Sequence, residues 1–352
     1  MFDRLRMPII QAPMLGATTE TIAIAVSEAG GLGSFAGAGS NPRQLADGIA
    51  RIRAATDKPF AVNLFAQQPA DPDAGEVREA MARLAPWRER YGLPAQSIPN
   101  QWAEPFAPQM EALIEAAPPA ASFTFGLPTA EQVARLKARG TFVIGTATNV
   151  AEARAWAELG ADAICAQGLE AGGHRGTFMG DAVEGGIGTL SLVRTIRAAL
   201  DLPVIAAGGI TDGAGIAAAL SLGAEAVQIG TAYLLSDESI VNAPWRAALE
   251  SAGDDPTRLT RAISGRHARG IENEFMATLR PIEREVPAYP VQNALTQELR
   301  AAAAKAGSQD VLSLWAGQSV KLIRKGAAAD ITRDLWRDAK ACLRETAARF
   351  AP

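Results

Sequence analysis

Histidine and cysteine are scarce in this 352-residue chain, with two of each. Cys165 and Cys342 are too few and too scattered for a disulfide framework or a metal cluster, so no metal is expected and a reduced compartment fits. No Lys/Arg run stands out. With charged residues at 20% and a net charge of −4, the chain carries no electrostatic footprint for nucleic acid. Nor does any apolar stretch free of charges and glycines reach the roughly 18 residues of a membrane span. The opening MFDRLRMPIIQAPM passes from an amphipathic decapeptide into a strand-like run without the apolar core and cleavage site of a signal peptide, and a cytoplasmic location is expected. What the chain does have is hydrophobic content, at 48%, enough for a sizeable core and too much for a disordered chain.

Eight short apolar runs read as buried strands: MPIIQ (7–11), GLGSF (31–35), FAVNLF (60–65), ASFTF (121–125), TFVIGT (141–146), DAICA (162–166), PVIAA (203–207) and EAVQIG (225–230). Between most of them lie alanine-rich segments of helical spacing, such as TETIAIAVSEAG and NVAEARAWAELG, several closed by a glycine suited to a left-handed cap. The alternation predicts an α/β fold, a (β/α)8 TIM barrel. A doubly wound open sheet gives a similar local pattern, but the count of eight favours closure. Residues 66–118, with several prolines and Trp87, Tyr91 and Trp102, read as a helical insertion after the third strand. Residues 1–235 then form the barrel, and 236–352 a C-terminal helical extension over its mouth.

Ligand-binding groups of such a barrel belong on the loops after the strands. The most informative stretch is ADAICAQGLEAGGHRG (161–176), a strand ending in Gln167, Glu170, Gly172, Gly173 and His174. The two glycines let the chain pass close to a ligand while aiming the imidazole into the mouth, which favours an acid/base role for His174 over the commoner structural one. His267, in SGRHARG, reads as exposed or structural. The seventh strand ends in Gly208 and Gly209, and the eighth runs through Gln228, Ile229, Gly230 and Thr231. Either motif alone implies no more than a tight turn. Together, on adjacent strand ends, they present backbone N–H groups to a phosphate. Asn63, Gln167 and Gln228 either bond to neighbouring backbone or meet the pyrimidine edge of an isoalloxazine ring, so the ligand is read as a flavin. Met14, in QAPM, is either core packing or the floor of that pocket.

These motifs resemble the FMN-dependent nitronate monooxygenases, formerly called 2-nitropropane dioxygenases. The resemblance runs through IIQAPM, GLGSF, NLF, SFTFGLP, AQGLEAGGHRG, PVIAAGGITDG and VQIGT, and in the tail through YPVQNALT and LWAGQ, with class I-like features in AQGLEAGGHRG and the tail. It implies oxidative denitrification of alkyl nitronates, propionate 3-nitronate among them, with O2 to a carbonyl compound and nitrite. It implies FMN contacts at Asn63, Gln167, Gly172, Gly208, Gly209, Gln228, Ile229, Gly230 and Thr231, with Ala12, Pro13 and Met14 lining the cofactor. His174 becomes the catalytic base, and Thr124, Tyr289, Trp315 and Gln318 substrate-side contacts. Some relatives carry SFHFGLP where this chain has SFTFGLP, so Thr124 withholds a second imidazole and the preferred nitronate is expected to differ.

The expected partners are a small nitronate or nitroalkane and O2, with no nucleic acid and no membrane, for a monomer or homodimer. Two alternatives stand. An NAD(P)H-dependent FMN reductase of quinones or enoyl thioesters is not excluded by the lack of a GxGxxG motif, because barrel reductases bind nicotinamide without one. A non-redox FMN- or phosphate-binding barrel leaves His174 and the tail unexplained.

Overall fold

The computed structural model describes residues 1–351. Its strands, in chain order, are β1 (Ile9–Gln11), β2 (Gly33–Ala36), β3 (Phe60–Phe65), β4 (Ala120–Thr124), β5 (Phe142–Ala147), β6 (Ala163–Gln167), β7 (Gly173–His174), β8 (Val204–Ala207), β9 (Ala226–Ile229), β10 (Thr257–Thr260) and β11 (Ala268–Ile271). Eight of them form a parallel sheet in the order β1-β9-β8-β6-β5-β4-β3-β2. The two edges meet through a parallel bridge, Ile10 to Leu32. There the Gln11 N–H donates to the Leu32 carbonyl and the Leu32 N–H to the Ile9 carbonyl, each at 2.9 Å. A ring order without reversal is a barrel, not a doubly wound sheet. All eight expected strands are present.

Side-chain alternation along the strands separates two cores. Outward residues such as Val62, Phe123, Val143 and Val227 pack against the helices. Inward residues, Ile10, Leu32, Ala61, Ile144, Cys165 and Ile205 among them, fill the barrel. Phe2, in the turn Phe2–Arg4, sets its ring edge-on to Phe142 at 5.7 Å, at the end where β5 starts. The N-terminal end is thus stoppered, and the strand C-termini are left to carry polar groups.

The accessory parts sort by packing. Helix Phe106–Ala116 places Met110, Leu113 and Ile114 in the barrel's outer core, whereas helix Ala74–Arg90 places Val77, Ala80 and Leu84 in a second core with Trp245, Phe275 and Leu295 of the tail. The last helix, Ala328–Phe350, returns to the barrel, burying Ile331, Leu335 and Ala339 against helices Glu20–Ala29 and Gly213–Ser221. Thr332 on that helix meets the buried Tyr233 hydroxyl at 2.9 Å. The accessory layer between Tyr233 and Ala328 therefore interrupts the barrel between its last strand and its last helix. It also carries two strands that the sequence analysis does not single out: β10 and β11 form an antiparallel sheet with β7, pairing Ala268 with His174 and Arg269 with Gly173. This sheet clamps the loop after β6 to the accessory layer.

Candidate active site

The loop after β6 is held by polar side chains bonded mainly to backbone. The Glu170 carboxylate caps helix Thr189–Ala199, accepting from the Thr189 N–H at 2.9 and 3.0 Å and from its hydroxyl at 2.8 Å. Arg175, 1% exposed, donates to the carbonyls of Gln167 (3.0 Å) and Gly168 (2.7 Å). Gln167 donates from Nε2 to the His174 carbonyl at 3.0 Å and accepts the Gly176 N–H at 2.7 Å. Its amide therefore holds the loop, the backbone-bonding alternative left open by the sequence.

His174 stands in an aromatic box. Phe125, Tyr289 and Trp315 surround its ring at centroid distances of 5.7, 5.4 and 5.5 Å. Phe125 reaches this position from a left-handed backbone conformation, φ 79°, which costs a residue with a Cβ about 1–3 kcal/mol. Desolvation in the box, followed by repulsion from Arg266 and Arg300, pushes the imidazole down to about 3, so it is neutral near pH 7. Arg266 lies 4.0 Å from the Phe125 ring centroid and donates to the Arg175 and Thr177 carbonyls. Arg300 donates to the Asn293 carbonyl (2.9 Å) and Oδ1 (3.0 Å). Burial brings both guanidinium groups down to about 10. Neither has a carboxylate partner among the described residues.

A second cluster lies on the neighbouring strand ends. Gly208 (φ 115°) and Gly209 (φ 69°) border a cavity of about 320 Å³ with Glu170, Thr189, Gly215 and Gln318. A Cβ on Gly208 would lie 3.0 Å from the Ala171 nitrogen, so this position requires glycine for space as well as for φ. The N–H groups of Gly209 and Thr231 meet no protein acceptor among the described residues. The tail crosses here: Gly317 N–H donates to the Thr231 hydroxyl at 2.9 Å and Gln318 N–H to the Glu170 carbonyl at 3.0 Å. Gly172 lies beneath it, and a Cβ there would come within 2.5 Å of Ala316 and Gly317 backbone atoms.

The remaining candidates line the mouth. Asn63, 3% exposed, donates from Nδ2 to Ser122 (carbonyl 3.1 Å, hydroxyl 3.0 Å) and to the Thr124 hydroxyl at 3.4 Å, leaving Oδ1 with no protein donor among the described residues. Gln228 shares the inward face with Ala226, and its amide has no protein partner there either. Met14 and Ala12 lie against Gly230, within 3.3 and 3.4 Å of where its Cβ would be, and Pro13 is partly exposed between them. Ile229 faces the other way, its side chain in the outer core and its carbonyl taken by the Ala12 N–H at 2.8 Å. Sequence reasoning missed Ser264, Arg266, Arg300 and Phe125. The nearest signals were SGRHARG and SFTFGLP, which drew notice for His267 and Thr124 instead.

A family model described as nitronate monooxygenase matches residues 2–338. The nitronate monooxygenase of Pseudomonas aeruginosa is 44% identical over 337 residues, covering 94% of this chain and 95% of that protein. The chain belongs to the nitronate monooxygenase family. It is an oxidoreductase. The solved nitroalkane oxidase of Streptomyces ansochromogenes superposes with a TM-score of 0.91 at 40% identity, covering 98% of this chain and 99% of that one. FabK from Thermotoga maritima superposes with a TM-score of 0.77 at 30% identity, covering 99% and 97%. In this member of the nitronate monooxygenase family no described helix is long and apolar enough to cross a membrane, and no described group of His, Cys, Asp and Glu could hold a metal ion.

Proposed function

We propose that the chain binds FMN at the open end of the barrel and oxidises alkyl nitronates with O2 to a carbonyl compound and nitrite. The observation that carries this reading is the pairing of two half-buried guanidinium groups, Arg266 and Arg300, with a neutral imidazole and no carboxylate in ion-pair contact among the described residues. Buried cations are costly unless an anion completes the site, and a nitronate is an anion whose two oxygens accept charge-assisted hydrogen bonds.

The residues present fit FMN. The free N–H groups of Gly209, on the cavity wall, and of Thr231, on the adjacent strand end, would hold its phosphate. Asn63 Oδ1 and the Gln228 amide would meet the ring's polar edge, with Ala12, Pro13 and Met14 against its face. Bound there, the flavin supplies the redox chemistry toward the nitronate and O2. The protein's share is binding and proton handling. Arg266 and Arg300 would orient the nitronate oxygens, the aromatic box with Tyr289 and Trp315 would exclude water, and His174 would take the α-proton when the neutral nitroalkane is supplied. Thr124 and Gln318 would contribute further polar contacts at the mouth.

The test is a visible spectrum of the purified protein, followed by oxygen uptake with propionate 3-nitronate and ethylnitronate. A bound flavin and uptake with at least one nitronate are expected. A colourless protein that does not take up added FMN, or a yellow one inert to both nitronates, contradicts the reading.

A further inference from the structure

Among the described residues His174 makes one side-chain hydrogen bond, between Nε2 and the hydroxyl of Ser264 at 2.8 Å. Ser264 is 1% exposed, and its hydroxyl also lies 3.1 Å from the Arg266 carbonyl oxygen. A hydroxyl has one hydrogen, and a carbonyl oxygen can only accept it. With that hydrogen given to Arg266, Ser264 can only accept at its second contact, so Nε2 must be the donor. Nδ1, which has no hydrogen-bond partner among the described residues, then keeps the lone pair.

Both partners are fixed by backbone. His174 is held in β7 opposite Ala268, and the next N–H, from Arg175, donates to the His267 carbonyl at 2.8 Å. Ser264 is held by the turn at Gly265 (φ 82°), which passes so near Pro287 that a Cβ would lie 2.1 Å from its carbonyl oxygen. The same turn therefore seats Ser264 beside the segment that carries Tyr289.

We propose that Ser264 is a positioning residue that sets the His174 tautomer, assigning Nδ1 as the atom that receives the substrate's α-proton when a neutral nitroalkane is used. The second half rests on the proposed function. In that step the α C–H bond breaks, its proton bonds to Nδ1, and the electron pair moves into the nitro group. The products are a nitronate anion and an imidazolium whose Nε2–H still donates to Ser264. Without Ser264 the ring loses its one tautomer-setting partner among the described residues, and a population with Nδ1 protonated can no longer act as the base.

The chain has only two histidines, so protein labelled with 15N-histidine gives two ring systems, and the variant His267→Gln assigns them. In the wild-type protein the His174 Nε2 is expected to be pyrrole-like and Nδ1 pyridine-like at neutral pH. Ser264→Ala is expected to move the ring toward the other tautomer or a mixture, and Ser264→Thr, which keeps the hydroxyl, to restore it. In parallel, Ser264→Ala is expected to lower kcat/KM for nitroethane about tenfold or more, a fraction of the effect of a general base, and for ethylnitronate much less. An Nδ1–H tautomer in the wild-type protein, which needs no variant, overturns the proposal, as does an unchanged tautomer in Ser264→Ala. Equal losses on both substrates overturn the assignment of Nδ1 as proton acceptor. The tautomer itself is read without turnover. A protein inert to nitronates but showing the expected spectra would support the Ser264 assignment and contradict the functional reading alone.

Discussion

The two sides of the barrel mouth are made of different material. One side, at the ends of β8 and β9, offers backbone: Gly208, Gly209, Gly230 and the N–H of Thr231, with a Cβ crowded at Gly208 and positive φ at Gly208 and Gly209. The other side, around His174, is made of side chains from the accessory layer: Ser264, Arg266, Tyr289, Arg300 and Trp315. Backbone amides recognise any phosphate, so on the proposed reading the first side would set which kind of cofactor is held. Guanidinium, imidazole and aromatic groups discriminate, so on the same reading the second side would set what is done to which substrate. The loop after β6 belongs to both, with Glu170 and Gly172 on the first side and His174 on the second.

The largest expected effect lies on the side-chain half. His174→Asn should lower turnover of neutral nitroethane about 10²- to 10⁴-fold while changing that of preformed ethylnitronate far less, as measured by steady-state oxygen uptake. Equal losses would remove the distinction between a proton-handling side and a binding side. On the backbone half, Gly208→Val forces a Cβ against Ala171 and a side chain into φ 115°, and should cost about 1–3 kcal/mol in urea unfolding and lower the flavin retained on purification. Loss of flavin with unchanged nitronate activity on re-addition would keep the two halves separate. Unchanged flavin content would dissolve them.

A smaller effect follows from titration. His174 falls from the ordinary 6.5 to about 3 in the folded protein, so between those values the unfolded chain binds more protons than the folded one. Stability should therefore decline as pH falls from about 6.5 toward 3, and be undiminished by this group above 6.5. His174→Asn should flatten that part of a plot of urea midpoint against pH. A wild-type profile no steeper than the variant's would contradict the burial argument.

The backbone half was largely legible in the sequence because its signals are local. Period-two apolar runs closed by glycine name a strand end directly, and Asn63 and Gln228 fall on the inward face by the same alternation. Gln167 shows the limit: its position was readable, but its amide answers to His174 and Gly176, a matter of loop path rather than pattern. The side-chain half was mostly unreadable. His174 and Ser264 are 90 positions apart, and nothing in SGRHARG announces that its serine meets an imidazole across a sheet. That sheet was itself hidden, because TRLT and ARGI are four residues each and carry Arg258 and Arg269 within the strand pattern. Arg300 sits on a helix whose spacing reads as ordinary amphipathic surface, and only the fold buries it beside Tyr289.

The central claim, that an anion completes the cationic side of the mouth, is tested most directly by kcat/KM for ethylnitronate in the double variant Arg266→Met, Arg300→Met. Removal of preorganised donors of this kind costs about 10²- to 10³-fold, so a loss of at least that order, with FMN content unchanged, is predicted. Wild-type nitronate turnover in the flavin-loaded double variant would contradict the account.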